Sequence, residues 1–249
     1  MSKPVLYVFA ISHYCEKARW ALDYLDIEYE LKCVGPGIHR KIAQKLGAPG
    51  TSVPILTAGE DVIQGSSDII DWAEANKISP SKSLTPPVEA LDDCKKIETR
   101  FGTVTGIHVR RYYYSEAMIE YPETVKPILT KDVPFLHWLM VSWNWKLIRK
   151  LMIKGLDLGP AQFEESGRAL DEELLWLDGI LADGRQYLVG DRFSRADITA
   201  ASILAPLTNP EEHPTYEGLE HPPRLAKKLA TWKDRASIQW VHEIYRKYR

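Results

Sequence analysis

Apolar residues in the first third of the chain come in short runs separated by turn-forming residues, and the runs switch between strand and helix periodicity. Val5–Phe9 reads as a strand, Tyr14–Leu25 as a helix and Ile27–Leu31 as a second strand. After the loop Gly35-Pro36-Gly37, His39–Leu46 reads as a short helix. Two further strands are predicted in Thr51–Leu56 and at Val62–Ile63, joined by a turn through Gly59-Glu60-Asp61. Ser66 then opens a helix with Ile69, Ile70 and Ala73 on one face. The order is βαβα followed by ββα, which marks an α/β domain.

Ser79 to Pro87 is rich in residues that end helices and populate linkers. This stretch divides an N-terminal domain, residues 1–78, from a C-terminal domain, residues 88–249, with residues 79–87 as the linker. Helical spacing governs the second domain, in runs near Val88–Ser115, Phe135–Lys154, Ala161–Ala182, Ala196–Ala205, Pro223–Arg235 and from Ile238 onward. Ser194-Arg195-Ala196-Asp197, just before Ile198, Ala201 and Leu204, has capping-box spacing, so Ser194 and Asp197 are assigned a structural role in starting a buried helix. The longest apolar stretch, Pro134–Ile153, is interrupted by His137, Asn144, Lys146, Arg149 and Lys150, whereas a membrane span needs about 20 mostly apolar residues. It predicts a packed helix with Trp138, Trp143 and Trp145 in the core, in preference to a helix lying on a membrane.

A chain of 249 residues is long for a single core, in keeping with two domains. Its formal net charge of -2 at pH 7 creates no global field to recruit nucleic acid or an acidic membrane, so any partner is recognised locally. The three cysteines, Cys15, Cys33 and Cys94, are too few and too irregularly spaced for a disulfide framework or a zinc site. They point to a reducing compartment, the cytoplasm. The N-terminus leads at once into the first strand without the regions of a signal peptide.

Candidate chemistry gathers where the first strand gives way to the first helix, at Ser12-His13-Tyr14-Cys15. A strand that feeds a helix through a short turn presents unpaired N–H groups and the positive end of a macrodipole, which favour a thiolate or another anion. Ser12 stands where a redox protein of this layout would carry its first cysteine, giving SxxC in place of CxxC. A hydroxyl donates to a bound thiolate but forms no disulfide. Read alone, Ser12 can equally be a simple helix cap.

The SxxC turn, Val53-Pro54 before the third strand, Ser66-Ser67 opening the next helix, the Pro-rich linker and the late SRAD capping box together resemble a cytosolic glutathione transferase of the serine type, bacterial-like. The layout of the whole chain shares in the resemblance, and its specific motifs lie within residues 5–74 and 189–205. It implies an α/β thioredoxin-like N-terminal domain binding glutathione as co-substrate and an all-α C-terminal domain supplying the pocket for a small hydrophobic or aromatic electrophile. It also implies a homodimer and no metal. Ser12 is then the catalytic donor that lowers the pKa of the glutathione thiol, about 8.5 for an ordinary thiol, so that the thiolate can attack. Val53 would hold the cysteinyl backbone beside Pro54, which is cis in similar proteins. Ser66 and Ser67 would grip the γ-glutamyl carboxylate at a helix mouth.

Other assignments keep two sides. His39, Arg40 and Lys41 follow the second strand, where basic residues either pair with the glycyl carboxylate or stay solvated. The chain departs from the family at Gly65, where most transferases carry Glu or Gln, and Gln64 is the candidate to reach the ligand from one residue earlier. Arg110-Arg111-Tyr112-Tyr113-Tyr114 concentrates cations and phenols, and Arg110 and Tyr113, with Tyr14, are candidates for the second substrate, or the tyrosines pack between helices. Tyr7 is assigned to the core, because the family's tyrosine position coincides with Val8 and a one-residue shift turns a strand side chain to the other face. Two alternatives stay open: a non-catalytic scaffold on the same fold, favoured by Gly65, and a glutathione-dependent thiol reductase or peroxidase using Cys15.

Overall fold

Four short strands, β1 (Val5–Val8), β2 (Glu30–Cys33), β3 (Ile55–Ala58) and β4 (Asp61–Gln64), form one sheet ordered β2-β1-β3-β4. The computed structural model describes residues 3–216 and 218–249. β1 runs parallel to β2 and antiparallel to β3, which runs antiparallel to β4. Leu6 and Val8 are fully buried. Tyr7 points to the other face by strand alternation and is only half-buried, with the Lys32 ammonium 5.8 Å from its ring centre. Its place is at the margin of the core, not inside it.

The register decides where the loops meet. Val8 pairs with Cys33, Tyr7 with Ile55, and Ile55 with Gln64. The ends of β1, β2 and β4 and the start of β3 therefore share one end of the sheet. β2 begins later than the apolar run at Ile27 suggests, because the chain is still leaving α1 (His13–Tyr24) there: Asp26 adopts φ 55° and the Ile27 N–H returns to the Leu22 carbonyl at 2.9 Å. α2 (Ile38–Leu46) and α3 (Ser66–Asn76) complete this layer, with Ile69, Ile70 and Ala73 of α3 fully buried as their spacing predicts.

The chain divides into two compact units. One holds the chain up to Ser83 together with Glu123–Lys150, the other Leu84–Pro122 and Leu151–Arg249. The segment 123–150, grouped with the C-terminal domain by its helical pattern, thus belongs with the sheet. It contains α6 (Pro122–Leu129), which the apolar pattern does not reveal, and α7 (Phe135–Trp143), followed by α8 (Trp145–Gly155). α7 sits so close to Gly35 that a Cβ there would lie 2.9 Å from Val141 Cγ2 and 3.8 Å from His137 Cβ. The expected continuous helix breaks at Asn144, whose side-chain amide donates to the Met140 carbonyl at 2.9 Å and competes with the helical ladder. Trp145 is buried, but Trp138 and Trp143, expected in the core, are exposed.

The second unit is all helix among its described residues: α4 (Leu91–Arg100), a π-helical turn (Phe101–Thr105), α5 (Gly106–Glu120), α9 (Pro160–Leu181), α10 (Arg195–Thr208), α11 (Pro223–Trp232) and α12 (Ala236–Tyr248), with a short 3-10 turn at Val88–Ala90. Glu173 of α9 ties this bundle together. It receives Arg100 through two bonds of 2.9 and 2.7 Å and the Thr105 hydroxyl at 2.7 Å. The π turn is what aims Thr105 inward. α10 is the buried centre, and its start is the capping box expected from sequence: Asp197 accepts from the Ser194 N–H at 2.8 Å, the Ser194 hydroxyl at 2.9 Å and the Leu188 N–H at 2.8 Å.

Asp197→Ala leaves two buried N–H groups without an acceptor, so it should destabilise the fold by about 3 kcal/mol. Urea denaturation of the variant should show the midpoint falling with an unchanged slope.

Candidate functional site

Ser12 is the N-cap of α1, in extended conformation at φ -73°, ψ 122°. Its N–H is tied to the Phe9 carbonyl at 3.1 Å and its carbonyl accepts from the Glu16 N–H at 2.8 Å, so the turn is fixed by main chain alone. The side-chain oxygen accepts from the Cys15 N–H at 3.4 Å, a long contact. Cys15 itself is fully buried, and burial pushes its thiol up to about 12 against the lowering effect of the Ser12 hydrogen bond. It is therefore protonated at neutral pH and shut off from substrate.

The Val53–Pro54 peptide is cis. The loop that carries it is strapped by Gln64, whose carbonyl oxygen accepts from the Gly50 N–H at 2.7 Å and whose amide donates to the Ser52 carbonyl at 2.6 Å. The Gly65 N–H adds a bond of 3.1 Å to the Pro54 carbonyl. Gln64 thus spends its amide on shaping this loop and is not directed at a ligand. Val53, between these anchors, makes no main-chain hydrogen bond to any other described residue.

α3 opens at Gly65, which has φ 107° and offers no side-chain cap. A Glu or Gln would be strained in that conformation, which suits a glycine at this position. Ser66 is buried at the first helical position. Ser67 accepts from the Lys17 ammonium at 2.9 Å, joining α3 to α1. Lys17 is only 2% exposed, and no spacing rule singles it out in the sequence.

The basic trio after β2 separates. Arg40 and Lys41 are exposed. His39 turns inward: Nδ1 accepts from the Gly37 N–H at 3.1 Å and the ring meets Phe9 edge-on at 4.8 Å. Burial, helped by the Arg40 charge, pulls it down to about 4, so it is neutral at pH 7, neither the carboxylate-pairing cation nor the solvated charge that the sequence left open. Of the second-substrate candidates, Tyr14 is half-buried in the first unit with its ring 4.4 Å from that of His13. Tyr113 is buried in the second unit against Tyr114 and His221, and burial pushes its phenol up to about 12. Arg110 is half-buried, while its neighbour Arg111 is the one locked in place, by Ser166, Asp157 and Glu165. Among the described residues no group of three His, Cys, Asp or Glu side chains is placed to hold a metal ion.

Residues 6–81 match the family model for the glutathione S-transferase N-terminal domain, and residues 152–235 match that for the glutathione S-transferase C-terminal domain. The chain belongs to the glutathione S-transferase superfamily. Its thioredoxin-like first domain and helical second domain are the architecture of that superfamily. Among curated proteins no sequence matches it. Solved structures of similar fold include the beta-etherase LigF from Sphingobium sp. strain SYK-6, at 19% identity and a TM-score of 0.62, covering 99% of this chain and 100% of that one. Glutathione transferase GSTFuA3 from Phanerochaete chrysosporium has 14% identity and a TM-score of 0.67, over 100% of this chain and 98% of that one. A glutathione S-transferase from Methylobacterium radiotolerans, solved with glutathione sulfonate, has 20% identity and a TM-score of 0.55, over 96% and 93%.

Within this transferase-family fold, the neutral state of His39 has a definite pH signature. A histidine held below its unfolded value stabilises the fold fully above about pH 6.5, and that contribution is lost as pH falls toward about 4. Imidazole resonances followed by NMR should show His39 staying neutral at pH 5.5. Gln64→Ala should free the Gly50 amide, raising its hydrogen-exchange rate by roughly tenfold while the centre of the sheet is unaffected.

Proposed function

We propose that this chain is a cytoplasmic glutathione transferase of the serine type, working as a homodimer on a hydrophobic or aromatic electrophile. The observation that carries the reading is the unpaired main chain of Val53, held on a braced cis-proline loop at the same end of the sheet as the Ser12 turn and the mouth of α3. A peptide-like ligand bonded to Val53 in antiparallel fashion supplies the missing hydrogen bonds. Its γ-glutamyl carboxylate then meets Ser66 and the uncapped N-terminus of α3, where N–H groups and the helix dipole favour an anion. Its sulfur meets Ser12, whose hydroxyl donates to the thiolate while the N-terminus of α1 adds positive potential. Ionisation releases the thiol proton to solvent; the thiolate then forms a C–S bond to the electrophilic carbon as that carbon's bond to its leaving group breaks, and the leaving group departs with the electron pair into solvent. Glutathione sulfonate bound to a relative supports the choice of ligand.

The burial of Cys15 weighs against the reductase or peroxidase alternative. The scaffold alternative keeps one observation in its favour: Gly65 places no polar side chain where glutathione's amino group would be recognised.

Calorimetry with glutathione, combined with the ultraviolet thiolate band across pH, tests both. The wild type should bind and show the band at neutral pH. Ser12→Ala should keep binding within a few-fold, lose the band at neutral pH and lose turnover of a model aryl electrophile by about 10²-fold. Cys15→Ala should keep both. Binding by the wild type with the thiolate band rising only at the pH of an ordinary thiol, about 8.5, would favour the scaffold.

A further inference from the structure

α7 is apolar on nearly every side, and its His137 and Val141 edge packs against Gly35. Such a helix normally lies inside a core. Here Trp143 is 80% exposed, Phe135 70% and Leu136 68%. Past Asn144 the same character continues on α8, where Leu147 and Leu151, one turn apart, are each more than half exposed. Clusters of large apolar side chains open to solvent mark a surface that another body covers.

The charge around these side chains says which body. No Asp or Glu occurs between residues 133 and 156, while Lys146, Lys150 and Lys154 are all exposed beside Leu147 and Leu151. Among the described residues none of these three lysines pairs with a carboxylate. If this face packed on itself across a two-fold axis, lysine would stand against lysine with no acid from residues 133–156 to offset them. An anionic lipid surface supplies both an apolar layer and negative headgroups.

We propose that α7 and α8 form a docking surface for an anionic lipid bilayer, with α7 lying in the interface. Trp138 and Trp143 suit headgroup depth, Phe135 and Leu136 reach the acyl boundary, and the lysines meet the phosphates. Among the described residues no helix is long and apolar enough to cross a membrane, so the association is peripheral. The chain's net charge of -2 does not oppose it, since at physiological salt charges farther than about 8 Å from the surface are screened. The proposal is independent of glutathione chemistry.

Vesicles of phosphatidylcholine, with and without phosphatidylserine, provide the test. The full chain should cosediment with the anionic vesicles, with a blue shift in tryptophan emission, and should release as salt is raised. Trp143→Glu combined with Phe135→Ser, both at exposed positions, should lower partition by more than about tenfold with unchanged circular dichroism. Lys146→Glu with Lys150→Glu should lower it by a similar factor. Failure to bind anionic vesicles, equal binding to neutral ones, or binding indifferent to these substitutions overturns the proposal. So does concentration-dependent self-association in ultracentrifugation that is abolished by the Trp143 variant while vesicle binding is absent.

Discussion

The registration of three strands at Ile55 is the constraint on which the candidate site depends. Because Ile55 faces Tyr7 on one side and Gln64 on the other, the turn after β1, the loop before β3 and the helix after β4 must all emerge together. A slip of one residue in the pairing of β1 would reverse the alternation that buries Leu6 and Val8. The core thus positions the chemistry indirectly, by forbidding any other alignment of the segments that carry it.

Within that frame the local fixings are polar. Main-chain bonds close the Ser12 turn, the Gln64 amide closes the loop ahead of β3, and the glycine conformation at residue 65 sets the start of α3. Each uses few atoms at short range. The helical unit follows the same logic on a larger scale, with single buried carboxylates, Glu173 and Asp197, each collecting three hydrogen bonds from separate segments.

Much of this was legible in the sequence where information is local. The order of strands and helices up to Asn76, the capping box at Ser194 and Asp197, and the buried stripe of α3 follow from spacing alone. What was not legible depends on partners far along the chain. Gln64 reads as a ligand contact until the Gly50–Ser52 loop comes back to meet it. His39 reads as a cation until burial against Phe9 removes its charge. Periodicity identifies Trp138 and Trp143 as apolar positions on a helix but cannot say whether protein covers them. The break at Asn144 turns on one side-chain amide competing for a carbonyl, and residues 123–150 group with the sheet, where Val141 meets Gly35 about a hundred residues away.

That contact has a mechanical meaning. Gly35 lies two residues beyond the end of β2, and its carbonyl accepts from the Ile38 and His39 N–H groups in the first turn of α2. With Val141 packed where a side chain would otherwise stand, there is no slack between the outer helix and this bend. Any side chain at residue 35 would therefore have to push back either α7 or the entrance to α2.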